Sequence, residues 1–282
     1  MRLGLTIFAT DQTIDPVDLA VEAEQRGYAS LWFPEHTNIP VSRATPAPTG
    51  GDLAEEYRRT LDPTITMAAC AQATSSLVLG SGIALVAQHD PVVYAKTWAT
   101  LDRLSGGRTR FGVGYGWNRE EMAAHGVEYE SRRAQVRDHV LAMHELWSCD
   151  EASYSGGFVE FEPTWSWPKP LQQPRIPTLI GGGAGPTIFG HVAEFADGWL
   201  PIGGAGIRAA LPQLREAWSA AGRTGEPEII PFGTEPTPGK LDYYRELGCT
   251  EVVMRVPAAP RDEVLRVLDG FDQIRAGAGT DA

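Results

Sequence analysis

Residues 77–117 read LVLGSGIALVAQHDPVVYAKTWATLDRLSGGRTRFGVGYGW and contain a complete strand–helix–strand unit. The apolar run Leu77–Leu85 predicts a strand. Asp90-Pro91 predicts a helix start, because an Asp N-cap before proline suits the first helical position, where an N–H would be unpaired. The run Arg110–Gly114 predicts the next strand and leads into a glycine-rich loop. The same acceptor-before-proline pattern recurs at Asp15-Pro16, Asp62-Pro63 and Thr237-Pro238, so the unit repeats along the chain.

Apolar runs at eight places predict the strands of one sheet. They are Leu3–Phe8, Ser30–Pro34, Leu77–Leu85, Arg110–Gly114, Thr178–Gly181, Gly198–Ile202, Glu228–Gly233 and Glu251–Val256. Helical segments alternate with them, of which Arg132–Trp147 has the clearest apolar periodicity. Because most runs are too apolar for a solvated face, the pattern predicts an α/β fold with a covered parallel sheet. Eight strands close a (β/α)8 TIM barrel, and a doubly wound open sheet is the alternative.

Two long segments interrupt this alternation. Pro40–Asp52 predicts an irregular loop after the second strand. Ser153–Pro170 predicts a hairpin-containing insertion, with an aromatic and proline-rich part, before the fifth strand. Loops of this length in a compact domain tend to be functional. We expect a single barrel domain over residues 1–275 and a flexible C-terminal tail over 276–282.

Composition restricts the partners. The chain has 282 residues and a formal net charge of −12, which argues against nucleic acids and anionic membranes as partners. No run reaches the roughly 20 apolar residues of a membrane span. Cysteines stand only at Cys70, Cys149 and Cys249, which suits a reducing compartment. We therefore expect a cytoplasmic protein, and the net charge says nothing about small-molecule ligands, which respond only to local fields.

Candidate site residues lie where the strands of a barrel end, because barrel enzymes keep their chemistry at the carboxyl ends of the strands. The second strand ends at Glu35 and His36, and the third bends at Gly80–Ile83. Glycine-rich loops follow the fourth and fifth strands, and the fifth leads into a helix that carries Thr187. Glycines let the main chain approach a flat ligand, and helix N-termini suit phosphate. We expect a large cofactor with its phosphate after strand five, the alternative being glycines that only permit tight turns.

Three stretches together resemble the luciferase-like flavin and deazaflavin oxidoreductase superfamily over nearly the whole chain. They are SLWFPEH (30–36), residues 77–117, and IPTLIGGGAGPTIFGHVAEFADGWLP (176–201). The resemblance implies a (β/α)8 barrel that binds FMN or coenzyme F420, and the FGVGYGW form is most like the F420-dependent branch. It also implies a non-proline cis peptide bond at Gly82–Ile83 and a homodimer. The cofactor-binding residues that we expect are Gly82, Ile83, Gly114, Tyr115, Gly116, Trp117, Gly181, Gly182, Gly183 and Thr187.

The resemblance implies hydride transfer between C5 of a deazaflavin and a small organic substrate. His36 would give or take the accompanying proton, and Glu35, which stands where an Asp is commoner, would orient it. Trp117 stands where the superfamily's sugar-phosphate dehydrogenases have an acidic residue, which argues against that activity. His89 is expected to support the loop before Asp90, with a hydrogen bond to substrate as the alternative.

Other functions stay open from the sequence. An FMN-dependent luciferase-like monooxygenase is the alternative within the superfamily. A metal-dependent TIM-barrel hydrolase and a non-catalytic cofactor-binding protein are alternatives of other classes. The hydrolase would carry His-x-His on strand one, which LGLTIFATD lacks, and we expect no metal site.

Overall fold

The computed structural model describes residues 1–48 and 50–277 of the chain. In chain order, the elements are β1 (Arg2–Thr6), α1 (Pro16–Gln25), β2 (Ser30–Phe33), α2 (Pro63–Ala73), β3 (Val78–Ser81), α3 (Pro91–Leu104), β4 (Thr109–Val113), α4 (Arg119–Ala124), α5 (Arg132–Ser148), β5 (Ala152–Ser155), β6 (Glu160–Thr164), β7 (Thr178–Gly181), α6 (Pro186–Phe195), β8 (Gly198–Leu200), α7 (Ile207–Ala220), β9 (Glu228–Ile229), β10 (Phe232–Thr234), α8 (Pro238–Glu246), β11 (Glu251–Arg255) and α9 (Arg261–Gly277). Short 3-10 turns lie at Glu55–Arg58 and Val86–Gln88. No helix within the described ranges is long and apolar enough to cross a membrane.

The main sheet is parallel and curls strongly. Its nine strands follow the order β10–β11–β1–β2–β3–β4–β7–β8–β9. The two strands at the ends of this order are separated in the chain only by Ile230 and Pro231. The Ile230 N–H donates to Trp199 O at 3.0 Å, and the Val253 N–H donates to Pro231 O at 2.9 Å, so one segment contacts both neighbours. The predicted α/β fold with a barrel-type parallel sheet is thereby confirmed.

One predicted strand, Glu228–Gly233, forms two short strands instead. β9 pairs with β8, and β10 pairs with β11. Pro231, between them, has no N–H for a ladder hydrogen bond, and Gly233 has a positive φ of 68°. The register against β11 shifts at the same place, between Phe232 and Thr234. The proline therefore divides the strand where the chain changes partner.

Helix capping follows the predicted pattern. The side chains of Asp15, Asp62, Asp90 and Thr237 each accept a backbone N–H, at the starts of α1, α2, α3 and α8 respectively. The predicted helix Arg132–Trp147 is α5, which ends one residue later. α9 runs to Gly277 and so includes residues 276 and 277 of the predicted tail, whereas residues 278–282 lie outside the described part. The single-domain boundary stays a prediction.

The insertion before the fifth main-sheet strand contains a hairpin. β5 and β6 pair antiparallel, away from the main sheet. Buried Asp138 of α5 fixes it by accepting hydrogen bonds from the Tyr154 hydroxyl at 2.8 Å and from the N–H groups of Phe158 and Val159.

The other long segment follows β2. Among the described residues of the segment 34–54, none belongs to a helix or a main-sheet strand.

Two apolar clusters hold the sheet. The larger lies between the sheet and the outer helices, where Trp98 of α3 and Trp147 of α5 contact Phe111 of β4. The smaller consists of Trp32, Leu179, Leu200, Ile230, Phe232 and Val253. Because these six residues come from separate strand positions around the curled sheet, their side chains meet inside it. Ile83 packs against this inner cluster.

Candidate active site

A cavity of about 720 Å³ lies beyond the carboxyl ends of the main-sheet strands. All but one of the predicted site residues line it, namely Glu35, His36, Gly82, Ile83, Gly114, Tyr115, Gly116, Trp117, Gly181, Gly182 and Gly183. The exception is Thr187, in the first turn of α6. Its side chain is exposed, because the neighbouring Ile188 is the residue that points inward and lines the cavity. Thr187 is therefore not placed to contact a ligand in the cavity with its side chain.

Ile83 explains two of the glycines in a way that the sequence did not predict. The Gly82–Ile83 peptide bond is cis, as the resemblance implied. A Cβ at Gly114 would overlap Ile83 Cδ1, and a Cβ at Gly181 would overlap Ile83 Cγ2. These glycines therefore make room for the Ile83 side chain, which stands between the two loops and faces the cavity. Gly183, by contrast, has no atom within 4 Å of a Cβ built upon it, so its main chain is open to a ligand.

His36 is held by a carboxylate that the sequence reading missed. Its Nδ1 lies 2.9 Å from Glu121 Oε1 and 3.1 Å from Glu121 Oε2. Both residues are buried, with exposed fractions of 9% for His36 and 2% for Glu121. Within the described part of the chain, no residue hydrogen-bonds the His36 Nε2 atom. The imidazole thus has one anchored nitrogen and one nitrogen free for a ligand.

Glu35 does not orient His36, contrary to the prediction. Its Oε1 lies 2.7 Å from His89 Nε2, and its Oε2 accepts the Leu85 N–H at 2.6 Å. Glu35 and His36 are consecutive residues at the end of β2, and successive side chains of an extended chain point to opposite sides. The two residues therefore take different partners. The interpretation of His89 as support for the loop before Asp90 agrees with this bond and with its stacking on Tyr94 at 3.9 Å.

The bond to Glu35 raises the pKa of His89. Burial alone lowers the pKa of this imidazole, but the hydrogen bond and negative charge of Glu35 outweigh burial and leave the pKa above its ordinary value. His89 is absent from the cavity lining. His89 therefore lies behind Glu35 and holds this cavity-lining carboxylate in position.

Glu121 could have been found from a local signal. Asn118 caps α4 by accepting the Glu121 N–H at 3.2 Å, and an N-cap followed three residues later by Glu is a capping-box pattern. In that motif the Glu side chain turns back to the helix start, whereas here it reaches across to His36. Asn118 itself is fully buried, serves the cap and is absent from the cavity lining.

Aromatic rings surround His36 on the cavity side. The Tyr57 ring lies 5.1 Å from the His36 ring and 4.6 Å from Phe8. Trp117 lies 6.0 Å from His36 at 72°. The sequence identified Trp117 but not Phe8 or Tyr57, because neither stands in a strand-end motif with chemical character of its own.

Trp165 and Trp167, the tryptophans of the proline-rich insertion, lie outside this group of rings. They are 75% and 52% exposed and do not line the cavity. Lys96 of α3 hydrogen-bonds the main-chain oxygen of Trp167. This contact holds the proline-rich part of the insertion against α3.

Cationic groups that the sequence reading also missed line the cavity. Arg132 and Arg133 begin α5, and no carboxylate within the described residues forms an ion pair with either. Arg132 stacks on Tyr129 at 3.5 Å, and its buried Nε has no hydrogen-bond partner. Arg133 lies 5.7 Å from the Tyr115 ring. The two guanidinium groups therefore offer the cavity positive charge that no carboxylate neutralises within the described residues.

The start of α6 is a second feature suited to an anion. Gly185 caps this helix without a side chain, and Gly183 and Ala184 just before it line the cavity. The first N–H groups of a helix attract negative charge when no side chain satisfies them.

Throughout residues 1–48 and 50–277, no group of three or more His, Cys, Asp or Glu could hold a metal ion.

Comparison with known proteins gives consistent family matches. A family described as luciferase-like monooxygenase matches residues 9–234. An uncharacterized protein of Mycobacterium tuberculosis is 42% identical over 93% of this chain and 94% of its own length. An F420-dependent glucose-6-phosphate dehydrogenase of Amycolatopsis mediterranei is 28% identical over 75% of this chain and 61% of its own length.

Solved structures share the fold. A monooxygenase of Streptomyces bottropensis superposes with a TM-score of 0.81 at 20% identity, covering 99% of this chain and 100% of that one. An F420-dependent secondary alcohol dehydrogenase in complex with an F420-acetone adduct superposes with a TM-score of 0.77 at 16% identity, with the same coverage. At such identities the likeness describes the architecture.

Proposed function

This chain belongs to the luciferase-like monooxygenase family, and on that premise we propose that it is a coenzyme F420-dependent oxidoreductase that transfers a hydride to or from a small organic substrate. The observation that carries the proposal is the free Nε2 of His36, anchored through Nδ1 to Glu121, at a cavity of about 720 Å³. Relatives named for F420 dependence support the choice of cofactor. A small-molecule substrate, a homodimer and a cytoplasmic location are part of the proposal.

The residues present fit a flat cofactor with an anionic tail. Ile83, on the cis peptide bond, offers an apolar surface for the ring system between the loops at Gly114 and Gly181. Arg132, Arg133 and the start of α6 would hold the anionic tail, because they carry positive charge or free N–H groups without an acidic partner. When bound, a deazaflavin supplies or accepts the hydride at its C5 carbon.

His36 handles the proton. Since Nδ1 is engaged by Glu121, Nε2 is the nitrogen that can meet a substrate oxygen. The imidazolium would give its Nε2 proton to a substrate oxygen during reduction, and the neutral imidazole would take that proton during oxidation. Glu121 fixes the orientation of the ring, the role that the sequence assigned to Glu35. Glu35 is engaged by His89 and by the Leu85 N–H.

Cofactor titration tests the proposal. Purified apoprotein is titrated with F420 and with FMN while intrinsic tryptophan and cofactor fluorescence are followed. We expect F420 to bind at least tenfold more tightly than FMN. His36→Asn should bind the cofactor within about twofold of the parent and should lower hydride transfer by about 10²–10⁴-fold, the usual contribution of a general acid–base. Failure of both cofactors to bind would refute the proposal.

An FMN-dependent monooxygenase is the second candidate. The family description as luciferase-like monooxygenase supports it, as does the fold likeness to a Baeyer-Villiger monooxygenase of Pseudomonas putida solved in complex with FMN. Tight binding of FMN with weak binding of F420 in the same titration would select this candidate.

A further inference from the structure

The rings around His36 form one aromatic compartment, which consists of Phe8, Tyr57 and Trp117. They come from three separate parts of the chain: the segment after β1, the 3-10 turn Glu55–Arg58 and the loop after β4. The Tyr57 and Trp117 rings lie 6.1 Å apart at 87°, and Phe8 lies 4.6 Å from Tyr57. All three line the cavity together with His36. The compartment is therefore a corner of ring faces and edges with the His36 imidazole in it.

The charged groups that line the cavity around this compartment already have partners. Arg255 donates to Glu56 Oε1 at 2.6 Å, His36 pairs with Glu121, and Glu35 pairs with His89. Among the described residues, the arginines of the cavity lining that lack an acidic partner are Arg132 and Arg133. These two stack on Tyr129 and Tyr115, which are not rings of the compartment. A charged substrate group here would lose water without gaining an unpaired counter-ion, which is costly.

We propose that the aromatic compartment binds an uncharged, planar, apolar carbonyl compound, such as an aryl ketone or aldehyde, or the corresponding alcohol. This inference rests on the proposed function. The ring of the substrate packs against Tyr57 and Trp117, since offset and edge-to-face aromatic contacts suit rings set at such angles. Its oxygen meets His36 Nε2, a nitrogen of the compartment that is left without a hydrogen-bond partner in the described structure.

The reaction balances with groups already named. During reduction, the carbonyl carbon gains a hydride from the reduced deazaflavin, and the electron pair of the C=O π bond moves to oxygen. That oxygen takes the Nε2 proton of the His36 imidazolium, which becomes neutral imidazole. The ketone would thereby be reduced to an alcohol by the two electrons of the hydride that a bound, reduced deazaflavin would supply. The reverse reaction uses the neutral imidazole as the base.

Matched probes of different charge test the substrate class without turnover. Acetophenone and 4-acetylbenzoate share an aryl ketone and differ by one carboxylate, and glucose 6-phosphate represents a charged sugar. Binding is measured by isothermal titration and saturation-transfer NMR, both on the apoprotein and with oxidised F420 present. We expect acetophenone to bind at least tenfold more tightly than either anion. Equal or tighter binding of 4-acetylbenzoate, or no binding of acetophenone, would overturn the inference.

Variants of Tyr57 localise the probe. Tyr57→Leu should weaken acetophenone binding at least tenfold, and Tyr57→Phe should keep it within about twofold. The control is Tyr243→Leu, because Tyr243 of α8 contacts Arg208 of α7 and is absent from the cavity lining. Thermal unfolding verifies that each variant is folded. If Tyr57→Leu and Tyr243→Leu bind acetophenone equally well, the compartment is not its site.

The outcomes separate this inference from the proposed function. If F420 binds but acetophenone does not, the substrate class is wrong and the cofactor assignment stands. If neither F420 nor FMN binds while acetophenone still binds at Tyr57, the redox function is wrong and the aromatic compartment stands.

Discussion

Glu121 accepts a hydrogen bond from His36 Nδ1 at 2.9 Å, and the two residues are 85 positions apart in the chain. Helix α4 positions the carboxylate in its first turn, where the Asn118 cap fixes the helix start. This contact determines which nitrogen of His36 faces the cavity. The chemistry of the site therefore depends on a helix that follows β4 as much as on β2, which carries the histidine.

The tautomer of His36 gives the first prediction. Nδ1 should carry a proton in the folded protein, whereas Glu121→Leu should release Nδ1 and Glu121→Gln should retain it through the amide oxygen. Long-range ¹H–¹⁵N NMR of the ring nitrogens measures this without a substrate. Hydride transfer should fall about tenfold or more in Glu121→Leu, because hydrogen bonds to charged groups contribute roughly 1.5–3 kcal/mol.

The control for that prediction is Glu128→Leu, since Glu128 is exposed just after α4. It should leave both the ring-nitrogen signals and the rate unchanged. An unprotonated Nδ1 in the parent protein would contradict the role assigned to Glu121.

Packing at Ile83 gives the second prediction. Gly181→Ala should destabilise the protein by about 1–3 kcal/mol, because the new methyl would overlap Ile83 Cγ2. Gly183→Ala is the matched control, since a Cβ there meets no atom within 4 Å. Adding Ile83→Ala to Gly181→Ala should recover part of the loss. Urea unfolding measures all four proteins, and equal effects of the two glycine substitutions would exclude Ile83 as the cause.

Much of the fold could be read from the sequence because its signals are local. Asp-Pro and Thr-Pro pairs start helices through contacts within three residues, and all of those predicted are observed as caps. Apolar runs likewise marked the strands. The division of Glu228–Gly233 was missed because it depends on which neighbour each half meets around the curled sheet.

The sequence predicted which loops form the site, but it did not predict which side chains contact one another there. Strand-end motifs led to Glu35, His36 and the glycines, since parallel strands bring their carboxyl ends together. The partners of those residues depend on side-chain directions that only the folded structure defines. Hence the partner of His36 is Glu121 and not Glu35 as predicted. Gly114 and Gly181, which were predicted to approach the cofactor, make room for the Ile83 side chain.

The Glu35–His89 pair gives the third prediction. The pKa of His89 is raised, so its ionic contact adds stability below the unfolded value of about 6.5, and this contribution is lost as pH rises through the folded pKa. The stability difference between the parent and His89→Gln should therefore shrink as pH rises through that window. Because burial lowers this pKa and Glu35 raises it, Glu35→Gln should lower the pKa of His89.

NMR titration of the His89 ring protons checks that prediction, and urea unfolding from pH 5.5 to 9 checks the stability difference. Glu128→Gln is the control and should leave the His89 titration unchanged. A His89 pKa that stays high in Glu35→Gln would mean that another group supplies the negative charge.

The arginines at the start of α5 give the fourth prediction. Arg132→Met and Arg133→Met should each weaken binding of the anionic cofactor about tenfold or more, because each removes a cation that no carboxylate neutralises within the described residues. Arg137→Met is the matched control: Arg137 lies on the same helix, but it pairs with Glu194. Added salt should weaken binding to the parent and control more than to the two arginine variants, since those variants have lost part of the screened attraction. Unchanged affinity in both variants would place the anionic tail elsewhere, at the start of α6, where no side-chain charge is needed to hold it.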